Sequence, residues 1–177
     1  RDWGSFVVPR GVVVARLGEN VAGNTTAIRI MLGLTDPSSG DAEVLGIPSA
    51  KKGLEIRRRV GYVPERPTLY EWMKVSEIGW FTSGFYGDGY LARFEQIAGE
   101  FGLPIRRKLK ALSKGMRAKV SLALAMAHDP DLLVLDEPTS GLDALVRREF
   151  LESMVERAAA GKGPSPTAGP GAEAIEA

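Results

Sequence analysis

The chain has 177 residues, of which 44% are apolar and 25% charged, and its 23 basic and 22 acidic side chains leave a formal net charge of +1. That balance suits one globular domain and calls for neither nucleic acid nor an anionic membrane as the main partner. With no cysteine, disulfide scaffolds and thiolate metal sites are excluded, and runs such as Leu122–Ala127 fall far short of the roughly 20 apolar residues that span a bilayer.

In chain order, Arg1 stands where a full-length chain has Met and no signal peptide is visible, so the sequence reads as a piece of something longer. Phe6-Val7-Val8 reads as a short strand and Pro9-Arg10-Gly11 as a turn. The run Val12–Leu17 is nearly continuous in β-branched and apolar residues, as in a strand buried in a parallel sheet. From Thr25 the spacing of Ile28, Met31 and Leu32 becomes helical. Asp36-Pro37-Ser38-Ser39-Gly40 is turn chemistry before a short strand near Ala42–Leu45. Ile56–Val60 leads into Gly61-Tyr62-Val63-Pro64, a further strand and its terminating proline.

Eight of the thirteen aromatic residues then fall between Tyr70 and Phe94. Such a concentration predicts a small helical subdomain with its own core, over about residues 70–115, or a docking face for a partner, or both. Arg106, Arg107, Lys108 and Lys110 form a basic run that reads as a solvated face. Ser113 is placed to cap a helix running to Ala127, with His128 at its end. Leu132–Leu135 is a buried strand ending in Asp136-Glu137-Pro138, and a helix is expected from about Ala144 to Ala160. Beyond Gly161 the composition falls to Gly, Pro, Ser, Thr and Ala, which predicts a disordered tail over 163–177 behind a domain of residues 1–162.

Two segments carry candidate chemistry. Gly18-Glu19-Asn20-Val21-Ala22-Gly23-Asn24-Thr25-Thr26 fits the phosphate-loop frame G-x-x-x-x-G-K-S/T except that Asn24 holds the lysine position. A loop of this kind binds phosphate because its N–H groups and the following helix N-terminus converge on the anion, and Thr25 would offer its hydroxyl to Mg²⁺. The strand ending at Asp136-Glu137 would deliver Asp136 to a metal shell and Glu137 to a water. Either segment alone also reads as an ordinary strand with its turn.

Together with two further motifs, they resemble the ATP-binding domains of ABC transporters. Leu112, Ser113 and Gly115 match the family signature LSGGQ, and Asp136–Asp143 matches D-E-P-T-S-G-L-D residue for residue. Gly61-Tyr62-Val63-Pro64-Glu65 is similar to the Q-loop, with Glu65 for the usual glutamine. The phosphate loop is similar to G-P-N-G-A-G-K-T-T at Gly18, Asn20, Ala22, Gly23, Thr25 and Thr26.

The resemblance runs from about Trp3 to Gly161 and implies an α/β fold: a P-loop NTPase-like mixed sheet flanked by helices, with an inserted helical subdomain. It implies ATP and Mg²⁺ as cofactors, held by Gly18, Asn20, Gly23, Asn24, Thr25 and Thr26, with Thr25, Glu65 and Asp136 around the metal and Glu137 as the catalytic residue. It also implies a head-to-tail dimer in which Ser113 and Gly115 face the nucleotide of a second nucleotide-binding domain. Transmembrane subunits would dock on the aromatic segment, and the chain would sit on the cytoplasmic face of the membrane.

Several residues depart from the pattern. Asn24 removes a positive charge, Val21 replaces a glycine where strained backbone costs a β-branched residue about 1–3 kcal/mol, and Arg16 places a charge in a strand expected to be buried. No histidine occupies the family's switch position, and His128, the only one in the chain, precedes the wrong strand. These departures, with the change in composition after Gly161, read as sequence decay or truncation. Two functions therefore stand side by side: an ATP hydrolase powering transport, and a degenerate nucleotide-binding module that acts beside an intact partner. The chromosome-associated ATPases that share the signature separate it from the phosphate loop by long coiled coils. Asn24 and Ser113 are only 89 positions apart, which sets that class aside.

Overall fold

In a computed structural model of the protein, the structure describes residues 14–15, 24–136, 144, 147, 148 and 152. The expected strand at Phe6–Val8, the phosphate loop before Asn24, Glu137 to Asp143 and the 163–177 tail lie outside the described residues.

Among the described residues three parallel strands form the central sheet: β1 (Val14–Ala15), β4 (Val60–Val63) and β5 (Leu132–Leu135). Their order is β1-β5-β4, so the last of the three in sequence lies between the other two. The antiparallel pairing expected of a mixed sheet occurs in a separate ribbon of β2 (Glu43–Val44) and β3 (Ile47–Pro48).

Alternation along the strands divides the core. Val60, Tyr62, Leu132 and Val134 face a cluster with Leu32, Val44, Ile47 and Ile56. Val63, Leu133 and Leu135 face the other side, against α5 (Lys114–Met126) and the helices α3 (Val75–Ser83) and α4 (Tyr90–Glu100). A residue period of two on a sheet covered on both faces gives this division directly. Gly61 sits on the α5 side, where a Cβ would run into the carbonyl oxygen of Ala125. The missing side chain lets the helix lie close on the strand.

The helix expected from Thr25 is α1 (Asn24–Met31). It ends in a Schellman motif: Gly33 has φ +61°, Leu34 N–H donates to Arg29 O at 2.8 Å and Gly33 N–H to Ile30 O at 3.0 Å. The next helix, α2 (Ser49–Arg59), satisfies the remaining carbonyls. Ser49 Oγ donates to Met31 O at 2.8 Å, and Arg57 Nη1 donates to Leu32 O at 2.9 Å and Gly33 O at 3.1 Å. Gly33 and Gly53 make the approach possible, since a Cβ on Gly33 would lie 2.6 Å from Gly53 Cα.

The sequence reading missed α2 and placed only the run-in to a strand at Ile56–Val60. Its buried residues are Ser49 and Ile56 alone, Leu54 is exposed and Lys52 breaks the helical backbone. No apolar stripe exists to announce it.

The capped helix at Ser113 is α5, as the sequence predicts. The aromatic segment is helical too, but its buried residues Val75, Ile78, Tyr90, Phe94 and Ile97 belong to one cluster with Val120, Leu122 and Leu133. Among the described residues it shares the core of α5 and the sheet, where the sequence suggested a core of its own. Ala144, Arg147, Arg148 and Glu152 are helical, where a helix is expected.

Two glycines should respond in opposite directions to alanine. Gly61→Ala overpacks the β4–α5 contact and should destabilise the fold by about 1–3 kcal/mol. Gly99, in α4 with open space at its Cβ position, should gain up to about 1 kcal/mol on conversion to alanine. Urea unfolding of the two variants beside the parent checks both signs.

Candidate functional site

The carboxyl ends of adjacent parallel strands are where an open α/β sheet binds its ligands. Here β5 delivers Asp136 to that edge and β4 delivers Val63, Pro64 and Glu65. The segment after β1 leads into α1, whose second residue is Thr25.

Thr25 Oγ1 donates a hydrogen bond to Asp136 Oδ2 at 3.0 Å, across 111 positions of sequence. Asp136 is only 6% exposed, and its backbone N–H donates to Val63 O at 2.9 Å, continuing the β4–β5 ladder past the last strand residue. Tyr62 OH reaches the same Oδ2 at 3.4 Å. A buried carboxylate oxygen is thus served by two hydroxyls, as burial of a polar group requires.

Tyr62 is a contact that the sequence reading missed. Its position two residues before Pro64 reads as plain strand alternation, and only the sheet order shows that it lies across from β5. Burial first, and then the Asp136 carboxylate and its hydrogen bond, push the Tyr62 phenol up to about 12.

The remaining expected site residues fall in different places. Thr26 is exposed on the first turn of α1. Glu65 makes an ion pair with Arg66 at 3.7 Å, and among the described residues no hydrogen bond joins it to Thr25 or Asp136. Ser113 caps α5 and accepts from Met116 N–H at 3.2 Å, and Gly115 is buried in the same first turn. Neither is hydrogen-bonded to Thr25 or Asp136. Gly18, Asn20, Gly23 and Glu137 lie outside the described residues, as does the side chain of Asn24.

His128 follows the end of α5, as expected of a helix-end residue. Its ring stacks on Tyr86 at 4.6 Å, and Tyr86 stacks on Tyr90 at 4.7 Å. Burial holds its pKa below the ordinary histidine value, against the opposing pull of the Val60 main chain and Asp129. Among the described residues neither ring nitrogen has a hydrogen-bond partner in bonding geometry. A buried ring in a stack is a packing element.

The aromatic segment divides cleanly. Tyr90 and Phe94 are buried, while Trp72 and Trp80 are each 65% exposed and Phe85 73%. The exposed rings touch in a row: Tyr70 meets Trp72 at 6.2 Å and Phe81 at 5.7 Å, and Phe81 meets Phe85 at 5.6 Å. Together these rings make a grouped aromatic patch on the surface. The basic run is exposed, as expected.

The family model for ABC transporters matches residues 4–140, and the chain belongs to that family. It is 38% identical over 164 residues to the probable multidrug ABC transporter ATP-binding protein YbhF of Escherichia coli (strain K12), covering 88% of this chain and 28% of that protein. It is 37% identical to the ABC transporter ATP-binding protein NatA of Bacillus subtilis (strain 168), covering 85% of this chain and 65% of that one. Among solved structures, an ATP-binding subunit of an ABC transporter superposes with TM-score 0.70 at 36% identity, over 86% of this chain and 65% of that one. CbiO1 from Clostridium perfringens, part of the ABC transporter complex cbiONQ, superposes with TM-score 0.71 at 26% identity, over 85% of this chain and 64% of that one. The chain therefore spans between about a quarter and two thirds of these relatives, and its fold is theirs, the P-loop NTPase fold of ABC ATP-binding subunits.

The raised Tyr62 pKa carries a sign. The folded state favours the neutral phenol, so this contribution is complete below the unfolded value near 10 and is lost as pH rises towards about 12. Stability should fall over that window, and less steeply in Tyr62→Phe, which removes the group. Unfolding by urea at a series of alkaline pH values compares the two slopes.

Proposed function

We propose that this chain is an ATP-binding unit of an ABC transporter, in which ATP–Mg²⁺ binds at the carboxyl edge of the sheet and drives movement of a solute across a membrane. The hydrogen bond between Thr25 and Asp136 is the observation that carries this reading. It brings the start of the phosphate-loop helix and the end of the second motif strand to one point, which an unrelated strand and turn would not do.

The donor set fits magnesium. A threonine hydroxyl and a carboxylate are hard oxygen ligands, and Mg²⁺ commonly takes one or two carboxylates with the rest supplied by phosphate and water. Among the described residues no cluster of three or more His, Cys, Asp or Glu could hold a metal alone, so the nucleotide would complete the shell. Asp136 and Thr25 would hold the ion, and Glu65 would join them by turning from Arg66. The bound metal would neutralise charge on the β- and γ-phosphates.

The chain's own residues then divide the work. Backbone N–H groups around Gly18, Asn20 and Gly23, with the N-terminus of α1, would cradle the phosphates, helped by Asn24 and Thr26. Glu137 would orient the attacking water. Ser113 and Gly115 would meet the nucleotide of a second domain across a head-to-tail dimer. A membrane subunit would dock on the row Tyr70, Trp72, Phe81 and Phe85, holding the chain at the cytoplasmic face. Among the described residues no helix is long and apolar enough to cross a membrane. The domain would comprise residues 1–162, with the helical portion at about 70–115 and a tail at 163–177.

Asn24 leaves the phosphate loop without its lysine, and a charge-assisted bond to phosphate is worth about 1.5–3 kcal/mol, or one to two decades of affinity. Asn24→Lys should recover part of that, and Val21→Gly added to it should recover more by letting the backbone close round the anion. Calorimetry with ATP–Mg²⁺ on the parent, the single and the double variant tests the order. Equal binding by all three overturns this account of the loop, and no binding by any overturns the assignment of the site.

In the repaired background, Glu137→Gln should abolish hydrolysis while leaving nucleotide affinity nearly unchanged, because the group acts on water and not on ground-state phosphate contacts. Phosphate release measured beside the binding isotherm separates the two. Parallel loss of both marks Glu137 as structural.

A further inference from the structure

The aromatic row and the signature serine belong to different parts of the chain, yet a continuous set of bonds joins them. Residues 71–76 run antiparallel to residues 105–110, with an isolated bridge between Lys74 and Lys108. Lys110 N–H donates to Glu71 O at 3.0 Å and Leu109 N–H to Met73 O at 2.8 Å. In the other direction Val75 N–H donates to Arg107 O at 3.1 Å and Ser76 N–H to Ile105 O at 2.9 Å. The second of these segments passes through the 3₁₀ turn Leu109–Ala111 straight into Leu112 and Ser113.

Arg117 closes the loop. It sits one turn into α5, where its N–H donates to Ser113 O at 3.0 Å. Its guanidinium reaches back along the helix: Nη1 donates to Glu71 Oε1 at 2.8 Å and Nη2 to Lys110 O at 3.3 Å. Glu71 stands between Tyr70 and Trp72, two of the exposed rings. One planar fork thus binds the residue between those rings and the segment leading to the serine, from a helix whose first turn the serine caps. Lysine offers no such fork, so geometry here favours arginine.

We infer that Arg117 is the positioning residue that ties the signature turn at Ser113 to the aromatic loop at Glu71, so that the attitude of Ser113 depends on how the Tyr70–Trp72 loop is held. The inference rests on the proposed reading in giving Ser113 a nucleotide to meet, but the linkage itself belongs to the free chain. As a source of stability the pair is minor: Arg117 and Glu71 side chains are 34% and 63% exposed, and ion pairs of that kind contribute little. Its consequence is local and directional. The Met116 N–H, which donates to Ser113 Oγ at 3.2 Å, reports directly whether the cap is held.

Amide hydrogen exchange on the full chain tests this without nucleotide or partner. Arg117→Gln and Glu71→Gln should each speed exchange at the Met116 amide about fivefold, the ceiling for a well-formed exposed pair. The reciprocal pair Glu71→Arg with Arg117→Glu should restore most of the protection. Trp72→Ala should change Met116 exchange in the parent and leave it unchanged in Arg117→Gln, because the cycle then lacks its connecting residue. Unchanged Met116 exchange in both single variants overturns the inference, and so does an equal effect of Trp72→Ala in both backgrounds. Should Arg117→Gln also speed exchange across Leu132–Leu135, Glu71→Gln, at a site outside the core, decides alone. The proposed function fails by a different measurement, an absence of ATP–Mg²⁺ binding, so the two outcomes stay distinct.

Discussion

The position of β5 between β1 and β4 is the constraint on which everything else turns. Its register sets Val134 against Val14 on one side and Tyr62 on the other. A central strand buried on both faces cannot slip by one residue without exchanging its two apolar sets, Leu132 with Val134 and Leu133 with Leu135, between the two halves of the core. Register therefore fixes where the strand ends, and the residue just past that end is Asp136. Val63 O then receives Asp136 N–H as the next rung of the ladder, so the carboxylate is placed by backbone pairing before any side chain acts on it.

The opposite wall of the site is fixed with equal economy. Helix α1 carries Thr25 in its first turn, and its far end is held by Ser49 and by the Arg57 guanidinium on three successive carbonyls. Carbonyls at a helix end are unsatisfied by the helix itself, so a neighbouring helix that supplies donors also fixes direction. The glycine pair at 33 and 53 lets the two backbones meet closely enough for those short bonds. A helix pinned at its last turn by α2 and at its first by Asp136 has little freedom to tilt away from the sheet.

How much of this could be read in advance depended on where the signal lies. The strands at 60–63 and 132–135 and the helix capped by Ser113 carry strong local patterns, and the structure has them where the sequence places them. The family motifs identified Thr25 and Asp136 together, although composition and periodicity alone left each as an ordinary turn. Helix α2 was hidden because its stabilisation is polar: an arginine fork and a serine hydroxyl on another helix's carbonyls leave no apolar period to detect. Tyr62 was hidden for a related reason. Its role depends on strand order, and β4 and β5 are separated by the α3, α4 and α5 segments. The aromatic segment shows a third limit. Counting rings predicted both a core and a face, and only burial could assign Phe94 to one and Trp72 to the other.

At Asp136 the bonds seen in the chain are compatible with those of the proposed loaded state. A carboxylate buried to 6% exposure needs donors, and Thr25 and Tyr62 supply them. A hydroxyl has one donor hydrogen and two lone pairs, so Thr25 can offer a lone pair to magnesium while it still donates to Asp136. That bond would aim the threonine oxygen at the ion. Tyr62, at 3.4 Å, is the longer of the two bonds to the carboxylate. The missing lysine would make the ion weightier. A loop that carries Glu19 and lacks a cation at position 24 would leave the divalent ion as the main source of positive charge at the phosphates. On the proposed reading nucleotide and metal would bind this chain as a unit, coupled through the Thr25–Asp136 pair.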